Sequence, residues 1–293
     1  MTSAQAQFLA RRLRRDYRLA GLVRMALLTL IAAWVAVSLA RPPLAANTQD
    51  LVWFVGLAAF AAWIMLTMLG VRQVQAANRA SLMIAAGRLD LAEEHLVETL
   101  RQFGIYRASK LLACHCLAVV VHGQKQYKEA AELCTAVVAL GPTRSKSVAR
   151  LCRILLADCA LGLGDLDGAV KALAPLRLQP ITVRHRDPET LSLAEQMLLL
   201  PIEMRCLVMS GSGKRAIEDL SWRIRVAELL DSPKAALVHS LLSEACRRVG
   251  LEAKASFLQR RAELYHDPAD LTGLTSGWAG EPAQTLLALP DNP

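Results

Sequence analysis

The chain of 293 residues is 54% hydrophobic and carries a formal net charge of +8. Its apolar excess lies in two segments before Gly70 and its positive charge is concentrated ahead of them, so we expect a lipid bilayer as a partner and no nucleic acid. Seven cysteines, an odd number spread over helical patterns, argue against a secreted disulfide framework and are typical of reduced core residues.

The first predicted elements are a basic cytoplasmic leader, residues 1–21, and a transmembrane hairpin, residues 22–70. The two spans are predicted at 22–40 and 51–70, and each is close to the roughly 20 residues that cross the hydrocarbon core of a bilayer. The only charge inside either span is Arg24, one turn from the end, where its side chain can extend to the headgroups. Ten residues separate the spans, which favours a tight helical hairpin.

The distribution of arginines predicts the direction of the spans. One acid, Asp16, and six arginines precede or begin the first span: Arg11, Arg12, Arg14, Arg15, Arg18 and Arg24. The connecting loop carries only Arg41, so we expect both termini in the cytoplasm and the protein in a plasma membrane such as the bacterial inner membrane. A cleavable signal peptide ending near Ala40 is the alternative for the first span.

Two features of the N-terminal region suit contacts beyond simple anchoring. Small residues four apart allow close helix packing inside the hairpin or in a homo-oligomer, although they also serve as helix-forming filler: Ala32, Ala36 and Ala40 in the first span, Ala58 and Ala62 in the second. The leader has the pattern of a basic amphipathic helix that can lie on anionic lipid, but its arginines already suffice as a topology signal.

A turn-plus-helix phrase recurs after the second span. The phrases begin at Gly87, Gln126 and Gly164, with degenerate forms at Gly213 and Gly250. Strand-forming residues never alternate with polar ones over a useful length, so the class is all-α. The repeat predicts a solenoid of helical hairpins over residues 71–266, in which each hairpin buries its apolar face on its neighbours.

These phrases resemble the tetratricopeptide repeat, a pair of antiparallel helices that cross closely at small residues. The paired small positions, twelve residues apart across the turn, match Ala80/Ala92, Ala118/Ala130 and Ala157/Ala169, with Ala216 in the fourth unit. The large apolar residue four positions further on matches Leu96, Cys134, Leu173, Leu220 and Phe257, and the closing proline matches Pro142 and Pro180. A residue without bulk at a crossing permits a short distance between helices.

The resemblance has departures. The anchor alanines Ala92, Ala130, Ala169, Ala216 and Ala253 are 38, 39, 47 and 37 residues apart, where the family has about 34. The fourth small pair is Met204/Ala216. Another solenoid of helical hairpins is therefore the alternative.

The resemblance also implies a partner groove lined by the first helix of each hairpin. The matching positions are His115, Val119, His122, Asp158, Arg205 and Val208. Several are apolar, which favours a hydrophobic or amphipathic ligand segment. The alternative is that these side chains pack between repeat units.

The C-terminal residues 267–293 are rich in proline, glycine and other turn formers. They are predicted to form an irregular tail. Its short apolar run, 286–289, would pack back on the last hairpin or dock a partner.

Chemical motifs are weak. Cys114, His115 and Cys116 with Cys134 are the best candidates for a metal site, but residues two apart on a helix point in different directions. The glycines around Lys214 lack the spacing and hydroxyl of a phosphate-binding loop. No histidine has a nucleophile and an acid at a recognisable spacing. We therefore expect a non-enzymatic protein without metal or cofactor.

The sequence thus predicts a membrane-anchored scaffold whose cytoplasmic repeat domain binds other proteins. The alternative is a small accessory or regulatory subunit of a membrane transporter or membrane enzyme complex, in which the hairpin contacts the main subunit. A membrane-bound hydrolase lacks any supporting motif. No ionisable residue lies deep in a span, as a transport pathway would require.

Overall fold

The computed structural model describes residues 1–40, 46–104, 106–140, 146–176 and 191–265. Every regular element in these ranges is an α-helix, so the all-α class is confirmed. The predicted tail and the closing prolines Pro142 and Pro180 lie outside the described residues. The chain divides into two compact units, residues 1–164 and 165–293.

The first unit contains α1 Ser3–Ala40, α2 Ala46–Ala85, α3 Leu89–Arg101, α4 Arg107–Gly123, α5 Tyr127–Val138 and α6 Lys146–Gly162. The second contains α7 Leu166–Leu173, α8 Leu193–Met209, α9 Gly213–Ala216, α10 Leu220–Ala227, α11 Ser232–Arg248 and α12 Glu252–Tyr265.

The two predicted spans are parts of much longer helices. Helix α1 has 38 residues and α2 has 40, which corresponds to about 57 and 60 Å at 1.5 Å per residue. Both contain an 18-residue window with a mean hydropathy of 2.1, and both are long and apolar enough to cross a membrane. The first window is 0% buried and the second 17% buried. About half of the large apolar side chains that lie exposed in the described residues fall between Leu22 and Gly70.

The apolar parts of α1 and α2 pack on each other through a glycine. The indole of Trp34 lies directly on Gly56, where a Cβ atom would collide with it. The ring also meets Trp53 edge to face, with centroids 5.4 Å apart. The described alanines of the predicted small-residue rows are not buried in this contact and stay exposed or half-buried: Ala32, Ala36, Ala58 and Ala62.

The leader is not a free amphipathic helix. Its apolar face is buried in the first unit, where Leu9, Ala10 and Leu13 belong to the same core as residues of α2, α3, α4 and α5. The N-terminal amine lies 3.0 Å from Glu93 on α3, and Gln7 Nε2 donates to Glu132 on α5 at 3.1 Å. The face that would lie on lipid is therefore covered by protein, although the arginines on the opposite face remain exposed.

A buried ion pair joins the leader to α4. Lys110 Nζ lies 2.5 Å from Asp16 Oδ2, and the two side chains are 5% and 3% exposed. Arg12 and Arg15 approach the same carboxylate at 3.8 and 3.6 Å. Burial lowers the pKa of Lys110, while its hydrogen bond with Asp16 acts in the opposite direction.

The folded part of the first unit ends at the same level on both long helices. The segment between α3 and α4 reaches α2 through the ring of Tyr106, which lies on Gly70, and reaches α1 through the guanidinium of Arg107, which lies on Gly21. Gln73 donates to the carbonyls of Gln102 and Phe103 at 3.4 and 3.3 Å, just below Gly70. Gly21 and Gly70 directly adjoin the predicted spans.

The same turn recurs five times in the described chain. A residue in the left-handed conformation lies five positions before a buried alanine in every case: Gly87, Lys125, Gly164, Gly211 and Gly250, with φ between 62° and 83°. In four of these turns the next residue donates its N–H to the carbonyl five residues back: Arg88, Gln126, Ser212 and Leu251. This bond belongs to the Schellman motif, which ends a helix at a left-handed residue.

The turn corrects the register of the fifth repeat. The alanine five positions after Gly250 is Ala255, which is 1% exposed, whereas the predicted anchor Ala253 is exposed. Phe257, predicted as the large core residue, is 50% exposed. The partner twelve residues before Ala255 is Ser243, whose hydroxyl donates to the carbonyl of Ala255 at 2.8 Å. The predicted packing alanines are all buried: Ala80, Ala92, Ala118, Ala130, Ala157, Ala169 and Ala216.

The second helix of the fourth repeat is broken into α9 and α10. Asp219 adopts a left-handed conformation (φ 52°) between them. Arg223, 7% exposed, turns back to donate to the carbonyl of Glu218 at 2.9 Å and to that of Arg215 at 3.4 Å. Its guanidinium thereby satisfies carbonyls that an unbroken helix would have paired internally.

The register makes a first prediction. Ala130→Leu and Ala255→Leu each force a branched side chain into a close helix crossing, and each should lower the free energy of unfolding by about 1–3 kcal/mol. Ala253→Leu, the same change on the exposed face of α12, should change it by at most about 0.5 kcal/mol. Denaturation in detergent followed by circular dichroism measures all three. Equal losses at 253 and 255 would contradict the corrected register.

The buried ion pair makes a second prediction. Asp16→Asn leaves the Lys110 ammonium buried without its carboxylate and should destabilise the first unit by about 3–5 kcal/mol. The double change Asp16→Leu with Lys110→Met removes both charges and should cost clearly less. The same denaturation assay applies. A double variant as unstable as the single one would show that the unpaired charge of Lys110 is not the cause of the loss.

Candidate partner-binding surface

The predicted groove residues of the first unit lie together on α4 and α6. His115, Val119 and His122 follow the spacing i, i+4, i+7 and therefore share one face of α4. All three are half-buried, as is Asp158 on the neighbouring α6. These four residues form what we term the α4–α6 surface.

A contact between a histidine and a carboxylate crosses the α4–α6 surface. His122 Nε2 lies 3.1 Å from Asp158 Oδ2, with the side chains 24% and 26% exposed. The imidazole also meets the ring of Tyr127 edge to face, with centroids 5.3 Å apart. Tyr127 begins α5, and its ring lies on Gly162 of α6, where any Cβ atom would be in collision with it. Because Gly162 has no side chain, the ring of Tyr127 can pack between α6 and the imidazole of His122.

A thiol–imidazole pair lies beneath the same surface. Cys152 Sγ is 3.6 Å from His115 Nδ1. A hydrogen bond from Cys134 lowers the pKa of the Cys152 thiol; burial opposes this shift, and the hydrogen bond from His115 adds to it. Cys152 is nevertheless 0% exposed, and reactive cysteines in proteins are partly exposed. The pair therefore joins α4 to α6 without offering its sulfur to a substrate.

The two cysteines of α4 in the candidate metal site face different helices. Cys114 Sγ faces the carbonyl of Leu133 on α5 at 3.8 Å, whereas Cys116 Sγ faces the hydroxyl of Ser81 on α2, also at 3.8 Å. Burial raises the pKa of both thiols, which disfavours the thiolate that a metal needs. In the described part of the chain no group of three or more potential ligands could hold a metal ion.

The other two groove candidates lie on α8 in the second unit. Arg205 is half-buried. Val208 is 4% exposed and belongs to the core of the second unit, so its side chain is not available to a partner. Its position was inferred from the fourth repeat, which departs most from the regular spacing.

Two residues in contact with the α4–α6 surface, Tyr127 and Cys152, were not predicted from the sequence. Tyr127 lies in the repeat phrase that begins at Gln126, and Cys152 is one of the seven cysteines, but no pattern distinguishes either residue. Both act through contacts between residues far apart in sequence, such as the 37 residues between His115 and Cys152. The Tyr127–Gly162 contact leaves only a weak signal in the sequence, a glycine two residues before Gly164.

No protein-family model matches the chain, and no curated protein and no solved structure shows significant similarity to it. The resemblance to the tetratricopeptide repeat accordingly rests on the residues of this chain.

A third prediction concerns the His122–Asp158 pair. Because about a quarter of each side chain is exposed, solvent screens the pair, and its coupling in a double-mutant cycle should be about 0.2–1 kcal/mol. His122→Ala, Asp158→Asn and the double variant should therefore unfold close to the wild type. Thermal denaturation measures the cycle. A coupling of several kcal/mol would mean that the pair is a structural element and not part of an accessible surface.

Proposed function

We propose that the protein is a non-catalytic, membrane-anchored scaffold. Two transmembrane helices hold a cytoplasmic TPR-like α-solenoid, and the α4–α6 surface binds a protein partner. The observation that carries the proposal is the common level at which folded contacts end, Gly21 on α1 and Gly70 on α2. Beyond that level most of the large apolar side chains of both helices are exposed.

The exposed apolar surface is too large for water. Monomeric soluble proteins rarely expose contiguous apolar patches above a few hundred Å², and each exposed Å² costs about 25 cal/mol. Leu22, Phe54 and Met65 are between 65 and 72% exposed, and many neighbouring apolar side chains are also exposed. A bilayer covers such a surface on all sides and requires that the backbone be helical, as it is in both spans.

The charge distribution supports cytoplasmic termini. Arginines surround the folded end of α1 and continue along α2 at Arg72 and Arg79, while both spans lack charge above Arg24. The positive-inside rule places such a flank in the cytoplasm. The leader packs with the repeat helices in one unit, so both termini of the hairpin lie on the same side.

The α4–α6 surface suits an amphipathic helical segment of a partner. It offers an apolar centre at Val119, flanked by two imidazoles and the Asp158 carboxylate. In helix-in-groove recognition a partner helix places apolar anchors, about one turn apart, along such a face. The recurring left-handed turns and buried alanines support a TPR-like stack of hairpins around it.

A second function is favoured by one observation on the hairpin. Ala32, Ala36 and Ala58 stay exposed because the two spans meet through Trp34 and Gly56. Exposed small residues in a span permit close approach of a further transmembrane helix. The protein would then be an accessory subunit of a membrane complex, or a homo-oligomer through its hairpin.

A fourth prediction tests insertion and topology. The protein should stay in the pellet after alkaline carbonate extraction of membranes. Green fluorescent protein fused before Ser3 or after Pro293 should fluoresce, and alkaline phosphatase at either site should be inactive. Phosphatase inserted after Pro43, in the loop between the spans, should be active and serves as the control. An active phosphatase after Pro293 contradicts the topology.

A fifth prediction tests the partner surface. A photo-crosslinking phenylalanine analogue at Val119 should give a discrete protein adduct in membranes, and His122→Ala with Asp158→Ala should weaken it. The same analogue at Phe257, exposed but in the second unit, is the matched control. The same crosslinking from Val119, in a variant whose spans are replaced by a generic transmembrane hairpin, separates the two proposed functions. The scaffold predicts that the adduct persists in this variant. Loss of the adduct when the native spans are replaced would favour the accessory subunit.

A further inference from the structure

Two arginines flank Gly21 at the point where α1 leaves the folded unit. The Arg107 guanidinium lies on Gly21, where a Cβ atom would collide with it. Its Nε donates to the carbonyl of Tyr17 at 3.1 Å, and its guanidinium stacks 4.3 Å from the centre of the Tyr17 ring. Arg24 lies one turn above Gly21, and helical side chains lean toward the N-terminus. The charged end of Arg24 therefore leans back toward the level of Arg107.

The charge of these two arginines is not balanced by the protein. Helices α1, α2 and α4 and the segment 102–106 contain only two acids, Asp16 and Asp50. Helix α3 adds Asp90, Glu93, Glu94 and Glu98, and none of them makes an ion pair with Arg24 or Arg107. Asp16 is committed to the buried pair with Lys110. Asp50 lies twenty residues before Gly70 on α2, about 30 Å away along the helix. Among the described residues Arg24 and Arg107 make no ion pair, and both are exposed.

The position of the pair corresponds to lipid headgroups. Gly21 and Gly70 adjoin the apolar spans, so side chains at this level meet the bilayer surface. Tyr17 and Tyr106 accompany the arginines there, and Tyr106 is 37% exposed. Tyrosine rings concentrate at membrane interfaces, where their apolar bodies and polar hydroxyls are both satisfied.

We infer that Gly21, Arg24 and Arg107 form a binding site for the phosphodiester group of an anionic phospholipid in the cytoplasmic leaflet. Guanidinium groups bind phosphate oxygens through paired N–H donors, which suits two arginines at the level of the headgroups. Gly21 leaves the space that the Arg107 guanidinium occupies against α1. The stacking on Tyr17 holds Arg107 in place before the lipid arrives. This site rests on the proposed membrane insertion of α1 and α2.

The test uses the full-length protein in nanodiscs of phosphatidylcholine with increasing amounts of phosphatidylglycerol. Native mass spectrometry of the released protein counts the phosphatidylglycerol molecules that it retains. Since one arginine near an anionic surface changes binding by about fivefold, Arg24→Gln with Arg107→Gln should weaken retention about 25-fold. Arg24→Lys with Arg107→Lys keeps the charge and should lose clearly less.

The matched control is Arg11→Gln with Arg14→Gln. This variant also removes two positive charges. Both arginines lie on α1, 10 and 7 residues before Gly21, which is about 15 and 10 Å along the helix. Retention should then change by no more than about twofold. Equal weakening by both glutamine pairs would mean a diffuse attraction to the surface, and no weakening by either would mean no site; both results overturn the inference.

Two further experiments test the source of the bound phosphate group and the membrane insertion of α1 and α2. Inorganic phosphate at millimolar concentration should not displace phosphatidylglycerol, and displacement would point to a soluble phosphate ligand and overturn the lipid site. Carbonate extraction of every variant tests insertion itself. Loss of the wild-type protein from the membrane pellet refutes the anchoring, whereas a retained protein without preference for phosphatidylglycerol refutes the headgroup site alone.

Discussion

The ion pair between Asp16 and Lys110 holds the first helix at one height and in one rotation against the hairpins. Because both side chains are almost fully buried, sliding α1 by one residue would leave the ammonium of Lys110 without its carboxylate in apolar surroundings, at a cost of several kcal/mol. The helix is continuous from Ser3 to Ala40. The pair therefore also sets Gly21 as the residue at which α1 leaves the folded unit, so a polar contact defines where the apolar span begins.

Helix α4 connects this boundary to the proposed partner surface. Its first turns carry Arg107 and Lys110, which contact α1, and its later turns carry His115, Val119 and His122. A helix of 17 residues transmits orientation with little bending, so a partner on the α4–α6 surface would sit at a fixed distance from the bilayer. Tyr127, wedged on Gly162, keeps α6 in register with α4. In the proposed function, anchoring and recruitment thus depend on the same helix.

The sequence predicted the helical class, the two apolar segments and the buried alanines, because each leaves a local signal. It did not predict the docking of the leader, since an amphipathic helix has the same pattern whether its apolar face meets lipid or protein. The sequence pointed to Ala253 instead of Ala255 as the buried alanine of the fifth repeat, because several alanines on α12 fit a helical period. Only the left-handed turn at Gly250 fixes the register. The α4 candidates follow from their spacing, but the contacts of Asp158 and Cys152 depend on tertiary packing. Val208 was misplaced because the fourth repeat carries extra residues and a broken helix.

Tryptophan fluorescence in vesicles with brominated acyl chains tests membrane insertion of the hairpin most directly. Three of the five tryptophans, Trp34, Trp53 and Trp63, lie in the spans, and the other two are Trp222 and Trp278. A variant with phenylalanine at 222 and 278 should be strongly quenched by the bromine atoms, because its remaining indoles lie among the acyl chains. The complementary variant, with phenylalanine at 34, 53 and 63, should keep nearly all its emission. Equal quenching of the two variants, or stronger quenching of the second, would contradict the account.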